Sequence, residues 1–214
     1  MLTIGILGGT GPQGRGLARR LAQAGHPTIL GSRSAARATE TAETIGVDGV
    51  TGGTNSDAAA ADLVIVTVPY DGHADLLASL AAPLAGKIVV DCVNPLGFDK
   101  HGPYALAIAD GSAAEEAQRI LPDSTVIAAF HHVSAVRLED PEVQQFDEDV
   151  LVLGEDRDAV GTVIELVAAA LPGGRGVFAG RLRNAHQVEA LTANLIAVNR
   201  RYKTHAGLRL TELP

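Results

Sequence analysis

The chain has 214 residues, enough for one large domain or one domain with a small appendage. A formal charge of −8 argues against a general nucleic-acid binder, and 46% apolar residues with only 3% aromatics and no Trp require an aliphatic core. Cys92 is the single cysteine, which excludes an intrachain disulfide and fits a reducing cytoplasm, and no apolar run approaches the roughly 20 residues of a membrane span.

Residues 2–7 read as a buried strand that follows Met1 with no basic leader, so no secretory signal is expected. Residues 12–24 read as a helix with Leu17, Leu21 and Ala24 on one side. A strand at 28–30 and a helix at 35–45 follow. The strongly apolar run 63–68 is a strand stopped by Pro69. Residues 71–80 form a short helix, 87–91 a strand, 113–121 a helix and 125–129 a strand. This alternation predicts an α/β fold: a doubly wound, parallel sheet of the Rossmann type with helices on both faces.

Beyond Phe130 the rhythm changes. A strand at 149–153 is followed by a helix at 159–171, closed by Pro172-Gly173-Gly174, and by a strand at 176–179. The last element runs from about 181 to 202 without Gly or Pro. In it Val188, Leu191, Leu195, Val198 and Tyr202 fall on one helix face. The expected division is a nucleotide-binding domain at 1–130 and a small C-terminal α/β extension at 131–214.

The first loop carries the most specific pattern. Gly9-Thr10-Gly11-Pro12-Gln13-Gly14 matches G-x-G-x-x-G and stands between an apolar strand and a helix, the setting that motif needs. Gly9 allows the tight turn, Gly11 lets backbone approach a pyrophosphate, and Gly14 lets the helix press on the strand. Free N–H groups at the helix start favour the diphosphate. An NAD-binding chain usually places an acid at the end of the second strand to hold the ribose 2′-hydroxyl. Here that strand ends Gly31-Ser32-Arg33, and Arg37 follows one helical turn on. A helix cap explains a serine but not the missing acid. Two guanidiniums and the Ser32 hydroxyl suit a 2′-phosphate, so the expected cofactor is NADP(H).

Taken together, the run Gly8 to Arg20, Gly31-Ser32-Arg33, Val66 to Tyr70, His131 to Arg137 and the tail Gly207 to Leu213 resembles the NADPH-dependent deazaflavin reductases, the NADP:coenzyme F420 oxidoreductases of archaea and actinobacteria. The resemblance covers nearly the whole chain. It implies hydride transfer between the nicotinamide C4 and the deazaflavin C5, with coenzyme F420 as co-substrate, in a homodimer. It places 2′-phosphate contacts on Ser32, Arg33 and Arg37, and loop contacts on Thr10, Gly11, Pro12 and Gln13. Val68 and Pro69 fall on the nicotinamide-ribose side, and Val133 and Ala135 near the nicotinamide. The chain departs from the family at Asp71-Gly72-His73, where many members have a shorter turn, and at Ser134, where others have proline.

Such a reaction needs no protein nucleophile, because the cofactors carry the chemistry and the protein supplies orientation and electrostatics. Thr10, His131 and His132 are the candidates for positioning or polarising the rings. No metal is expected, since adjacent histidines diverge and no third ligand is evident. Arg200, Arg201 and Lys203 complement the negative end of the last helix or attract the anionic deazaflavin tail. Thr192 and Asn199 lie beside the apolar stripe of that helix, facing the substrate slot or a subunit interface. Two other functions compete: an NADPH-dependent imine or keto-acid reductase, for which residues 131–214 are few, and a non-enzymatic NADP(H) sensor.

Overall fold

A computed structural model describes residues 1–213. The opening apolar run forms β1 (Ile4–Leu7), buried at every position. Helix α1 (Pro12–Gln23) starts on Pro12, whose missing N–H costs nothing in a first turn. Then come β2 (Thr28–Ser32), α2 (Ala35–Ile45), β3 (Val50–Thr54), α3 (Asn55–Ala59) and β4 (Leu63–Val66). The next segment forms a 3-10 turn at Tyr70–Gly72, α4 (His73–Ser79), α5 (Ala81–Leu84) and β5 (Ile88–Asp91). A hairpin of β6 (Leu96–Asp99) and β7 (Gly102–Ala105) precedes α6 (Ala113–Ile120) and β8 (Thr125–Ala128). The remainder is α7 (Ala135–Glu139), β9 (Asp149–Leu153), α8 (Arg157–Ala170), β10 (Arg175–Gly180) and α9 (Ala185–Tyr202).

Eight strands form one sheet in the order β10-β9-β8-β5-β4-β1-β2-β3. Every neighbouring pair is parallel except β8 and β9, which meet antiparallel at Ala128 and Leu153. Two aliphatic clusters cover the two faces. One joins Leu17, Leu21, Ala42, Val163 and Val167 from α1, α2 and α8; the other joins Leu77, Leu84, Ala117 and Val188 from α4, α5, α6 and α9. The order reverses between β1 and β4, and such a switch point leaves a crevice beyond the carboxyl ends of the strands.

The expected rhythm is present, with several short elements added. β3 and α3 were not expected, because Gly52 and Gly53 hide the strand. A Cβ at Gly52 would lie 2.2 Å from the Ala38 carbonyl carbon, so glycine there lets α2 lie directly on β3. The turn into α3 is closed by a capping box of Thr54 and Asp57. The β6–β7 hairpin and the five-residue α7 also lay below the reach of periodicity. Residues past 130 continue the sheet through β9 and β10, so the chain change near Phe130 is not a break in it.

One side chain ties the two stretches together. The Arg20 guanidinium, buried in α1, donates to the carbonyls of Leu138 (2.9 Å), Val143 (2.8 Å), Arg137 (3.0 Å) and Asp140 (2.6 Å). It also lies 5.0 Å from the Phe146 ring centroid. Arg20→Met would keep the stem packing and leave these carbonyls without their donor. Unfolding in urea should then show a loss of about 2 kcal/mol; an unchanged midpoint would refute the role given to Arg20.

Candidate functional site

Parallel registry sets the ends of four strands side by side: Leu7 opposite Val66, Val66 opposite Asp91, and Asp91 opposite Ala128. The loops leaving those ends frame the crevice. In the first, the positive φ falls on Gly8 (+69°), one residue earlier than the motif reading placed the turn. A Cβ on Gly8 would lie 2.4 Å from Val68 Cγ1, so the loops after β1 and β4 touch. Gly9 is required by close packing instead: its Cβ would meet Leu30 Cδ2 at 2.6 Å, and its N–H donates to Gly31 O at 2.9 Å. Gly14 presses on the turn, with a Cβ that would lie 2.5 Å from Gly9 Cα.

Gly11 differs from these three. The nearest atom to a Cβ there is Gly8 O at 3.7 Å, an ordinary contact, and its φ of −77° suits any residue. The fold does not require glycine at 11, whereas close approach of a pyrophosphate does. Gly11 is also the N-cap of α1 and offers no side-chain cap, which leaves first-turn N–H groups open to an anion. Gly11→Ala is therefore expected to unfold at the wild-type temperature and to bind NADPH at least about tenfold more weakly. Unchanged affinity in a fluorescence titration would refute the pyrophosphate assignment.

At the end of β2, Ser32 Oγ accepts the Ser34 N–H at 3.2 Å, and Ser34 caps α2 by accepting the Arg37 N–H at 3.4 Å. The guanidiniums of Arg33 and Arg37 are exposed and make no hydrogen bond or ion pair among the described residues. Arg15, by contrast, is tied to Glu139 and to the Thr10 carbonyl. The Thr10 hydroxyl has no partner among the described residues, and Pro12 is exposed on the same turn. Gln13 turns the other way and donates to Phe130 O at 3.2 Å.

On the β4 side, Val68 is half-buried and Pro69 exposed, while Thr67 Oγ1 donates to Leu7 O at 3.0 Å. On the β8 side, Phe130 is fully buried at φ +62°, a left-handed conformation that a bulky residue adopts only when its surroundings force it. The chain turns there into His131. The His131 carbonyl accepts from Asn94 Nδ2 (2.8 Å) and Thr192 Oγ1 (3.0 Å), but neither ring nitrogen meets a partner in hydrogen-bond geometry among the described residues. His132 Nε2 faces the Leu151 N–H at 3.4 Å. Burial pushes both imidazoles down to about 4, so both are neutral at pH 7 and neither presents a cation. Val133 has its side chain in the core, and Ala135 is half-buried at the start of α7.

Residues 3–95 match the family model for NADP oxidoreductases that are coenzyme F420-dependent. The F420-dependent NADP reductase of Methanothermobacter thermautotrophicus is 38% identical across 100% of this chain and 97% of its own length. That of Methanocaldococcus jannaschii is 39% identical across 99% of each chain. The chain belongs to the F420-dependent NADP reductase family. In fold, a candidate F420-dependent NADP reductase from Arthrobacter sp. FB24 superposes with a TM-score of 0.83 at 26% identity, covering 99% of this chain and all of that one.

This F420-dependent NADP reductase family member carries polar groups that sequence reasoning did not find. His73 entered only through its unusual turn, yet it is fully buried between Asp91 and Glu116. Glu189 on α9 is buried and accepts the N–H groups of Ala113 and Ala114 at 3.0 and 3.2 Å, joining α9 to the start of α6. Burial, opposed by those two bonds and reinforced by nearby Asp91, raises its carboxyl to about 7. Asn94 and Thr192, which both donate to the His131 carbonyl, mark where the loop after β5 and the helix α9 meet the loop after β8. The signal available in sequence was polar residues among apolar ones, such as Asp91 closing Ile88-Val89-Val90.

Proposed function

We propose that this chain catalyses reversible hydride transfer between NADP(H) and the deazaflavin coenzyme F420. The observation that carries the reading is similarity along the whole chain to reductases named for both cofactors. Three features of the site support the nucleotide half: open space at Gly11, unpaired guanidiniums at Arg33 and Arg37, and no acid at the end of β2. Ser32, Arg33 and Arg37 hold the 2′-phosphate. Gly9 to Gly14 seat the diphosphate, with the Thr10 hydroxyl free to donate to an oxygen nearby. Val68, Pro69, Val133 and Ala135 border the nicotinamide end.

When bound, the two cofactors supply a hydride donor and a hydride acceptor, so the protein's work is alignment and exclusion of water. His131 and His132, neutral at pH 7, serve as wall and as single N–H donors rather than as charged acids. Residues 131–213 complete the deazaflavin side. We further assign the chain to the cytoplasm and to a homodimer built on the outer face of α9, where Val198 and Tyr202 are 37% and 72% exposed. No described helix is long and apolar enough to cross a membrane.

Mixing protein, NADPH and oxidised F420 tests the reaction. The visible band of the deazaflavin should bleach as the hydride arrives. NADPH binding without bleaching would overturn the reading and favour a nucleotide sensor.

A further inference from the structure

The group that the proposed chemistry leaves without a task is the fully buried His73. Its Nε2 lies 2.6 Å from Asp91 Oδ2 and its Nδ1 lies 3.0 Å from Glu116 Oε2. Ionised carboxylates only accept, so both bonds are satisfied together only when both ring nitrogens carry hydrogen. Asp91 closes β5, and its other oxygen accepts the Val93 N–H at 2.9 Å. The next residue, Asn94, donates to the His131 carbonyl. On the other side, Tyr70, in the turn directly after Pro69, reaches Glu116 Oε1 with its hydroxyl at 3.4 Å. His73 is thus the hub of one polar chain through the loops after β4, β5 and β8.

We propose that His73 is a positioning residue: as an imidazolium clamped between Asp91 and Glu116 it holds those three loops in the arrangement that seats the nicotinamide for hydride transfer. The proposal rests on the functional reading above for the identity of the reaction. Burial opposes charge on the ring, but Asp91 and Glu116 outweigh it and raise His73 to about 9. The groups facing the pair are Glu116 from α6, Tyr70 from the 3-10 turn and Glu189 from α9, with Cys92 and His131 beside Asp91. Among these His73 alone is a cation at pH 7. Above pH 9 the ring loses a proton, one carboxylate loses its donor, and the loop after β5 is released.

Nitrogen-15 spectra of labelled histidine read the protonation state directly. Both His73 ring nitrogens should be protonated at pH 7.5 and titrate near pH 9; a neutral ring at pH 7.5 would overturn the proposal. Emission of bound NADPH reports how the nicotinamide is held and needs no F420. It should change across the same pH range in wild type and be constant in His73→Gln. Single-turnover hydride transfer should fall about tenfold from pH 8 to pH 10 in wild type, the ratio of protonated fractions about a value of 9. In His73→Gln it should be slow at pH 8 and flat above. An alkaline limb unchanged in the variant, or a variant as fast as wild type, would refute positioning by His73. If His73→Gln fails to fold, the wild-type spectra and NADPH emission decide alone: a titration near 9 with no change in emission also refutes it. Loss of F420 bleaching in wild type with the emission change intact would remove the functional reading and leave the clamp standing.

Discussion

Replacing Arg33 and Arg37 together by alanine should raise the KM for NADPH roughly 100-fold while leaving that for NADH within about twofold. Charge-assisted hydrogen bonds contribute about 1.5–3 kcal/mol each, and both guanidiniums are exposed, so the lower end of that range applies. Neither side chain has a partner among the described residues to lose, so thermal stability should be unchanged. Arg33→Lys separates charge from shape: it keeps the cation and loses the planar fork, so selectivity should fall only partway. Equal losses for the two nucleotides in the double variant would overturn the 2′-phosphate assignment.

The same two arginines show what a sequence can carry. A glycine pattern, a strand before it and a helix after it are local, and the charge at the end of β2 is local too, so the elements that carry the proposed nucleotide end were legible. Among the sheet strands, β1, β4, β5 and β8 stood out because each is a four-residue, mainly apolar run. β3 did not, because two of its five residues are glycines, Gly52 set by contact with α2 and Gly53 by contact with Asp57 of α3. The turn glycine was misplaced by one residue because a motif gives spacing and not φ. Gly8 and Gly9 are adjacent, and only the packing of Val68 and Leu30 around them separates their duties.

The far end of the site was illegible for a different reason. His73 meets Asp91 across 18 residues and Glu116 across 43, while Thr192 reaches His131 across 61. No periodicity encodes such pairs; they exist because the sheet brings four strand ends to one edge. Burial of His132 likewise depends on β9 running antiparallel beside the end of β8, and His131 lies beside the segment after β5 and Thr192 of α9. Sequence offered two histidines after a strand. Only the elements packed over them tell that they are neutral.

That burial sets the acid stability of the protein. His131 and His132 ionise at about 4 in the fold against 6.5 unfolded, so the stability they contribute is present above pH 6.5 and is lost as pH falls through 4. At about 1.36 kcal/mol per unit, each histidine costs the fold roughly 3 kcal/mol by pH 4. Glu189 acts in the opposite sense. Its raised value of about 7 means that its contribution is complete below 4.5 and disappears as pH rises through 7, and Glu148, raised by burial and with no hydrogen-bond partner for either oxygen among the described residues, has the same sign. His73 adds a nearly constant contribution across this window, because it is protonated in the fold throughout and in the unfolded chain below 6.5. Two histidines therefore pull stability down in acid while buried carboxyls partly offset them. Urea unfolding from pH 6.5 to pH 4 should separate the two. His132→Asn should flatten the curve by about 1.4 kcal/mol per pH unit, one proton fewer taken up on unfolding, and Glu189→Gln should steepen it by a similar amount. Parallel curves for wild type and His132→Asn would show that the ring is hydrated and charged in the fold, contrary to its place behind β9.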